Sequence, residues 1–230
     1  RTGAPIAPVV EKPVPVSSVP GERSSPTQPF SPGLPSFAGP RPSEKTMWGM
    51  ALLDQAFAHD PCLAWVLQDN QPGYPARRRA YLAAYLAYHQ ANALPLLGAW
   101  QGGQLLGLSC FTLPEPVADP ASLSALGARI AQACGTDSLA RLEQLIDAFD
   151  QHLGDAPAAR IEFLAVAPAA QGQGLGSALL RDSLAYCAAQ GYRQVALESG
   201  EPRNLALYLR HDFHISGGLQ CEVAFFLIKR

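Results

Sequence analysis

The chain has 230 residues, of which 16% are charged and 48% are apolar, and this composition excludes a chain that is disordered throughout. The net charge of −2 gives no reason to expect nucleic-acid binding, which normally leaves a basic excess. No apolar run approaches the roughly 18 residues that a membrane span needs, so we expect neither a nucleic-acid nor a membrane partner.

The first 45 residues differ in composition from the rest of the chain. They contain 11 of the 21 prolines, and two phenylalanines are their only aromatic residues. Such a segment cannot bury enough apolar surface to offset the entropy of ordering it. We therefore predict a proline-rich, disordered tail over residues 1–45 and one folded domain over residues 46–230, which are enough for a substantial core.

Hydrophobic periodicity and turn residues predict the elements of this domain in chain order. The order is helix 48–58, helix 76–91, a hairpin of strands 94–100 and 104–113, a helix beginning at Asp119-Pro120, a helix beginning at Thr136-Asp137, strand 159–167, helix 175–190, strand 193–198, helix 202–210 and strand 223–228. The segment between the first two helices, with Asp60-Pro61 and Pro72-Gly73, reads as a loop.

The five cysteines lie at positions 62, 110, 134, 187 and 221. Their odd number and wide spacing fit neither a metal site nor a disulfide scaffold. The early prolines also interrupt any apolar run that a secretory signal would need. We therefore expect no metal and a reduced, cytoplasmic location.

The stretch 166–180, VAPAAQGQGLGSALL, runs from a predicted strand through a glycine-rich turn into a helix. Gly172, Gly174 and Gly176 remove side chains from the turn, so that backbone N–H groups can approach a ligand closely. The first turn of the following helix points its unpaired donors the same way. This pattern is typical of a pyrophosphate site, with a plain turn and helix cap as the alternative.

Two common phosphate-binding motifs fit this stretch poorly. A P-loop ends in Gly-Lys-Ser/Thr, and Gly176-Ser177 lacks the lysine. A dinucleotide loop needs a third glycine where this chain has Ser177 or Leu179, and it normally opens a doubly wound sheet rather than lying near its end. A dinucleotide site stays a weak alternative, because an acidic residue, Glu198, ends the next predicted strand.

The remaining pattern resembles the coenzyme A signature of the GNAT superfamily of N-acetyltransferases: Gln or Arg, two residues, Gly, one residue, then Gly or Ala. The positions that match it are Gln171, Gly172, Gln173, Gly174, Leu175 and Gly176. The superfamily's upstream Val-x-Pro is matched by residues 166–168. Its downstream Asn, Tyr and Gly-Phe are matched by Asn204, Tyr208 and Asp212-Phe213, with Asp212 in place of the glycine. Residues 165–213 look most like the puromycin acetyltransferase type.

The resemblance implies a mixed, mostly antiparallel central sheet flanked by helices. It implies acetyl-CoA as the acetyl donor, no metal, and direct attack by the amine of a small molecule in a ternary complex; a homodimer is compatible with it. Acetylation of protein lysines or N-termini is the alternative within the class. A non-catalytic acyl-CoA-binding module is the alternative outside it.

The resemblance also implies roles for individual residues. The backbone of Leu164, Ala165 and Val166 would bind the donor, and fixed N–H groups there would stabilise the charge that develops on the thioester oxygen. Residues 171–176, with Ser177 and Asn204, would complete the cofactor site.

Two side chains are candidates for proton transfer. Tyr208 shares a helix face with Asn204, and an ordinary tyrosine pKa of about 10 keeps it protonated at pH 7, so it can act as a general acid toward the departing thiolate. Glu162 lies on the same strand face as Leu164 and could accept the amine's proton. Glu198 or a chain of water molecules could do so instead. Tyr81 and Tyr85 could line an acceptor pocket.

Overall fold

The computed structural model describes residues 10–13, 27–30, 42–115, 119–153, 157–221 and 224–230. It divides the chain into two compact units, residues 1–39 and 40–230. In the first unit, strands β1 (Val10–Pro13) and β2 (Thr27–Phe30) pair in antiparallel fashion. The tail predicted over residues 1–45 lies mostly outside the described residues, and its disorder stays a prediction.

Helices and strands alternate through the described part of the second unit. The helices are α1 (Pro42–Ala56), α2 (Pro61–Val66), α3 (Tyr74–Ala91), α4 (Pro120–Cys134), α5 (Thr136–Leu153), α6 (Leu175–Ala189) and α7 (Pro202–Leu209). The strands are β3 (Leu96–Gln101), β4 (Gln104–Thr112), β5 (Ala159–Val166), β6 (Val195–Ser199), β7 (His214–Gln220) and β8 (Ala224–Lys229). Among the described helices, none has the length and apolar character that a membrane crossing requires.

The structure confirms most of the predicted elements and corrects three. The first helix begins at Pro42 rather than at residue 48. Helix α2 lies in the segment that we expected to be a loop, and Asp60 caps it by accepting a hydrogen bond from the N–H of Leu63. Strand β7 was missed because the adjacent Gly217 and Gly218 weaken its strand pattern.

The six strands of the second unit form one sheet in the order β3-β4-β5-β6-β8-β7. The β5–β6 pair is parallel, and the other neighbouring pairs are antiparallel. Helices cover both faces. Gly49 of α1 packs against Leu108 of β4, while the preceding residue on that strand, Gly107, lies against Leu179 of α6. This confirms the mixed, mostly antiparallel sheet flanked by helices.

Strands β5 and β6 pair over only two residues. Ala159 lies opposite Val195, and Arg160 lies opposite Ala196. Beyond this point β5 continues alongside β4 as far as Val166, whereas β6 continues alongside β8. The two strands therefore diverge, and each presents an edge without a ladder partner to the gap between them.

We expect a chain that begins at Pro40 to unfold with the melting temperature of the full chain. The sheet and the helices that cover it belong to the second unit. Circular dichroism during thermal unfolding measures this. A matched truncation at Phe57 also removes α1, with the buried Leu52 and Leu53, and should unfold the domain. A clear loss of stability on removal of residues 1–39 alone would contradict the prediction.

Candidate active site

A cavity of about 80 Å³ opens where β5 and β6 diverge. Several side chains that the sequence singled out line it together. They are Glu162 and Leu164 of β5, Glu198 of β6, and Asn204 and Tyr208 of α7. Tyr81 and Tyr85 of α3 also line it, and their role in an acceptor pocket stays a prediction.

Backbone N–H groups of β5 point into the gap. The N–H of Ala167 donates to the carbonyl of Leu106, next to β4. Because successive residues of a strand alternate in hydrogen-bonding direction, the N–H of Ala165 also points to β4. The N–H groups of Leu164 and Val166 then point to the open edge. Of the three backbone donors expected from sequence, the structure directs two toward the gap and Ala165 away from it.

The glycine loop follows β5 and leads into α6. Gly172 has a φ of 74° and Gly174 a φ of 80°, in the left-handed region that favours glycine. A Cβ atom at either position would meet no atom within 4 Å, so the space beside the loop is open. No side chain caps α6, so the N–H groups of its first turn, at residues 175–177, are available to an anion.

The two glutamines of the loop support its backbone. Gln171 donates from Nε2 to the carbonyl of Val166 at 3.2 Å, and Gln173 donates from Nε2 to the carbonyl of Ala169 at 3.2 Å. Their amide groups therefore fix the shape of the loop and leave contacts with an anion to the main chain.

A hydrogen bond ties the first turn of α6 to the turn that follows α7. The hydroxyl of Ser177 lies 2.5 Å from Nε2 of His211. Gly176 lies beside Leu207 of α7, which a Cβ atom at that position would meet at an ordinary contact distance of 3.7 Å. The loop and the helix that carries Tyr208 are thus directly connected. From the sequence we expected His211 near the site but assigned it no role, because it has no fixed place in the motifs.

Tyr208 lines the cavity. Only 7% of its surface is exposed, and its ring packs edge-on to Phe213 at 6.0 Å between centroids. Burial raises the pKa of its phenol well above the ordinary value, and the nearby charges of Asp60 and Glu198 add to the shift. The phenol is therefore neutral throughout the physiological pH range and can donate its proton.

Arg160 forms a buried ion-pair network with two carboxylates of the cavity. Its Nη2 lies 3.0 Å from Oε1 of Glu198, and its Nε lies 3.6 Å from Oε2 of Glu162. Its guanidinium group also stacks over the ring of Phe149 at 4.2 Å. The hydroxyl of Thr112 donates to Oε1 of Glu162 at 3.2 Å. Sequence analysis missed Arg160, although its alternation with Glu162 on one strand face was visible.

A third carboxylate, Asp60 at the start of α2, lines the same cavity. Burial raises its pKa to about 6. Beside it, burial raises the pKa of the Cys62 thiol, which therefore stays protonated. Sequence analysis treated Asp60-Pro61 as a loop signal and so did not place Asp60 in the site.

An aromatic wall faces these carboxylates. The ring of Phe163 lies edge-on to Phe57 at 5.5 Å and to Tyr85 at 5.4 Å, and Tyr85 in turn lies 4.9 Å from Tyr81. Leu142 and Leu145 of α5 extend this wall. The cavity thus combines an apolar surface with three carboxylates and one arginine, which favours a small, positively charged guest.

The sheet with its single parallel pair and diverging strands, together with the glycine loop, defines a GNAT-type acetyltransferase. The family model described as acetyltransferase (GNAT) family matches residues 59–213, more than half of the chain. The chain therefore belongs to the GNAT acetyltransferase family, and it is an N-acetyltransferase.

Solved structures share the fold at low sequence identity. A histone acetyltransferase and related acetyltransferase of Corynebacterium glutamicum is 22% identical, with a TM-score of 0.61 over 83% of this chain and 93% of its own. The polyamine N-acetyltransferase of Drosophila melanogaster is 14% identical, with a TM-score of 0.59 over 81% and 95%. The arylalkylamine N-acetyltransferase 2 of Aedes aegypti is 15% identical, with a TM-score of 0.57 over 84% and 96%.

The N-terminal part of the chain is similar to a different class of protein. A model of the glucose/ethanol/alcohol dehydrogenase β-propeller domain matches residues 1–81. The glycerol dehydrogenase large subunit of Gluconobacter thailandicus is 52% identical over 58 residues, which are 25% of this chain and 8% of that protein. The chain thus spans a small fraction of these relatives. Where the two family models overlap, at residues 59–81, the structure forms helices α2 and α3 rather than propeller strands.

We expect Arg160→Met to destabilise the domain by about 3–5 kcal/mol, because it leaves two buried carboxylates without their cation. Chemical denaturation measures the free energy of unfolding. Arg181→Met is the matched control. Arg181 pairs with Asp182 at 3.7 Å on the surface, where such pairs contribute about 0–1 kcal/mol. Equal effects of the two substitutions would contradict the importance of the buried network.

Proposed function

We propose that the protein transfers an acetyl group from acetyl-CoA to the amine of a small molecule, by direct attack in a ternary complex. The observation that carries this proposal is the convergence of three features on one gap in the sheet. These are the uncapped glycine loop, the open edge of β5, and a cavity that holds Tyr208 among carboxylates.

The residues present fit coenzyme A. Gly172 and Gly174 leave an open space beside main-chain donors, and the first turn of α6, which includes Leu175, Gly176 and Ser177, would bind the pyrophosphate. The N–H groups of Leu164 and Val166 would bind along the open edge of β5 and stabilise the negative charge on the thioester oxygen. When bound, acetyl-CoA supplies an activated acyl group.

Tyr208 would supply the proton that the departing thiolate requires. The phenol is held neutral by burial, and Asn204, one turn earlier on α7, shares its face of the helix. The hydrogen bond between Ser177 and His211 would keep α7 in place relative to the loop.

The acceptor would be a small amine that is positively charged at pH 7. Three carboxylates and one arginine line a cavity of about 80 Å³, so a cationic head group is favoured. By their names, two of the structural neighbours act on polyamines and arylalkylamines. The puromycin-type motif in residues 165–213 supports including aminonucleosides among the candidates.

A panel assay separates this proposal from its alternatives. Thiol release from acetyl-CoA would be measured with polyamines, arylalkylamines, aminonucleosides, and peptides with free lysines or N-termini. Turnover with peptides alone would favour a protein acetyltransferase. Binding of coenzyme A without turnover on any amine would favour a non-catalytic module. A homodimer and a cytoplasmic location stay predictions.

A dehydrogenase activity is not proposed, despite the N-terminal similarity. The similarity covers 58 residues, which are 8% of the glycerol dehydrogenase large subunit of Gluconobacter thailandicus.

We expect Gly174→Glu to abolish most of the affinity for coenzyme A. The substitution introduces a carboxylate beside the expected pyrophosphate, at a φ of 80°. Isothermal titration calorimetry with coenzyme A measures the affinity. Gly102→Glu is the matched control, because Gly102 also has a positive φ and open surroundings but lies in the β3–β4 turn. Unchanged affinity in a folded Gly174→Glu protein would overturn the assignment of the loop.

We expect Tyr208→Phe to slow the chemical step by about 10²- to 10⁴-fold, because it removes the proton donor and keeps the ring. The dissociation constant of acetyl-CoA should hardly change. Single-turnover rates with both substrates saturating measure the step. If Tyr208 only packs in the core, the opposite result is expected. Tyr208→Phe would then be nearly silent, while Tyr208→Ala would destabilise the domain by about 3–5 kcal/mol, as for other large buried rings.

A further inference from the structure

The three carboxylates of the cavity are not equivalent. Glu162 and Glu198 share Arg160, at 3.6 Å and 3.0 Å respectively. The Arg160 guanidinium favours the ionised form of Glu198 and so opposes the effect of burial, which raises the pKa of that carboxyl. Asp60 pairs with no cation anywhere in the described part of the chain. Protonation of Asp60 therefore removes no negative charge from a buried ion pair.

The backbone of α2 fixes the position of Asp60. Its Oδ1 accepts a hydrogen bond from the N–H of Leu63 at 2.8 Å, as the cap of that helix. The carboxylate lines the cavity together with Tyr208 and Glu198. Because a cap needs only one carboxylate oxygen, the second oxygen can engage a guest in the cavity.

We infer that Asp60 is the residue that receives the proton of the acceptor ammonium before the amine attacks. The inference rests on the proposed function and names the proton acceptor of that reaction. It replaces Glu162, which the sequence had favoured, and it assigns Glu162 and Glu198 to the ion-pair network with Arg160.

The proton balance of the reaction is complete with these residues. An N–H bond of the ammonium breaks, and its proton moves to Asp60 and from there to solvent. The nitrogen lone pair then forms the C–N bond to the thioester carbon, and the C–S bond breaks. The thiolate takes the phenolic proton of Tyr208. The second proton that the nitrogen loses restores that phenol, so one proton is released in each turnover.

The environment of Asp60 suits this task. An amine of pKa about 10.4 is almost fully protonated at pH 7, so a base is required. A base works best when its pKa lies near the working pH, and burial raises the pKa of Asp60 to about 6. The titratable groups that face it are the neutral Cys62, Tyr74 and Tyr208 and the carboxylates Glu198 and Glu201.

The test compares the pH profile of kcat/KM of the unmodified protein with that of Asp60→Asn. Asparagine can still cap α2 through its side-chain oxygen. In the unmodified protein kcat/KM should fall below about pH 6. In Asp60→Asn it should be about 10²- to 10⁴-fold lower at pH 7. It should then rise roughly tenfold per pH unit, as free amine forms in solution, without an inflection near pH 6.

Asp119→Asn is the matched control. Asp119 caps α4 in the same manner, by accepting hydrogen bonds from Ala121 and Ser122, but it is exposed and outside the cavity. Its substitution should leave the pH profile of kcat/KM unchanged. Coenzyme A affinity should be unchanged in both variants.

Thermal unfolding gives a readout that does not depend on activity. A carboxyl whose pKa is raised on folding stabilises the protein at low pH, and this contribution is lost as the pH rises through about 6. The melting temperature of Asp60→Asn relative to the unmodified protein should therefore rise between pH 4 and pH 7. Asp119, whose pKa is lowered by its hydrogen bonds, should give the opposite trend on substitution, and only below the ordinary aspartate range of about pH 4.

The outcomes separate the inference from the function on which it rests. An active protein whose pH profile survives Asp60→Asn overturns the inference and leaves the proposed function in place. A low-pH limb that persists in Asp60→Asn and disappears in Glu198→Gln assigns the proton to Glu198, and also overturns it. A protein that acetylates no amine of the panel overturns both.

Discussion

The short pairing of β5 with β6 is the constraint on which the rest of the site depends. A sheet normally satisfies every interior backbone group with a neighbouring strand, yet here the ladder ends after two residue pairs. The strands stay in one sheet because β4 and β8 pair with their outer edges. The gap therefore has rigid walls, and its unpaired backbone donors are held in place without the help of a ligand.

The same gap buries charged groups, which is unfavourable, and the ion-pair network around Arg160 offsets this free-energy cost. Two glutamates point from diverging strands into the same low-dielectric gap and would repel each other. Arg160 lies in the last residue pair before the strands separate, so its guanidinium group reaches both carboxylates. The point where the ladder ends is thus also the point where the charges are neutralised.

The parts of the site that could be predicted from the sequence depend on local chemistry. The glycine loop follows from positive φ angles and an uncapped helix, and the face shared by Asn204 and Tyr208 follows from helical spacing. Asp60 and Arg160 were not predicted as site residues, because their contacts are with residues far along the chain. Asp60 reads locally as part of a loop, and only the folded sheet brings it to Tyr208, almost 150 positions later in the sequence.

One physical effect suits Tyr208 and Asp60 to the opposite roles proposed for them. Burial raises the pKa of both groups, because it disfavours each charged form. The phenol starts from about 10, so a further rise keeps it protonated and able to donate. The carboxyl starts near 4, so the rise brings it to about 6, where it is still ionised at pH 7 but accepts a proton readily. A single buried cavity can therefore hold an acid and a base side by side, because the pKa values of the two groups lie on opposite sides of pH 7.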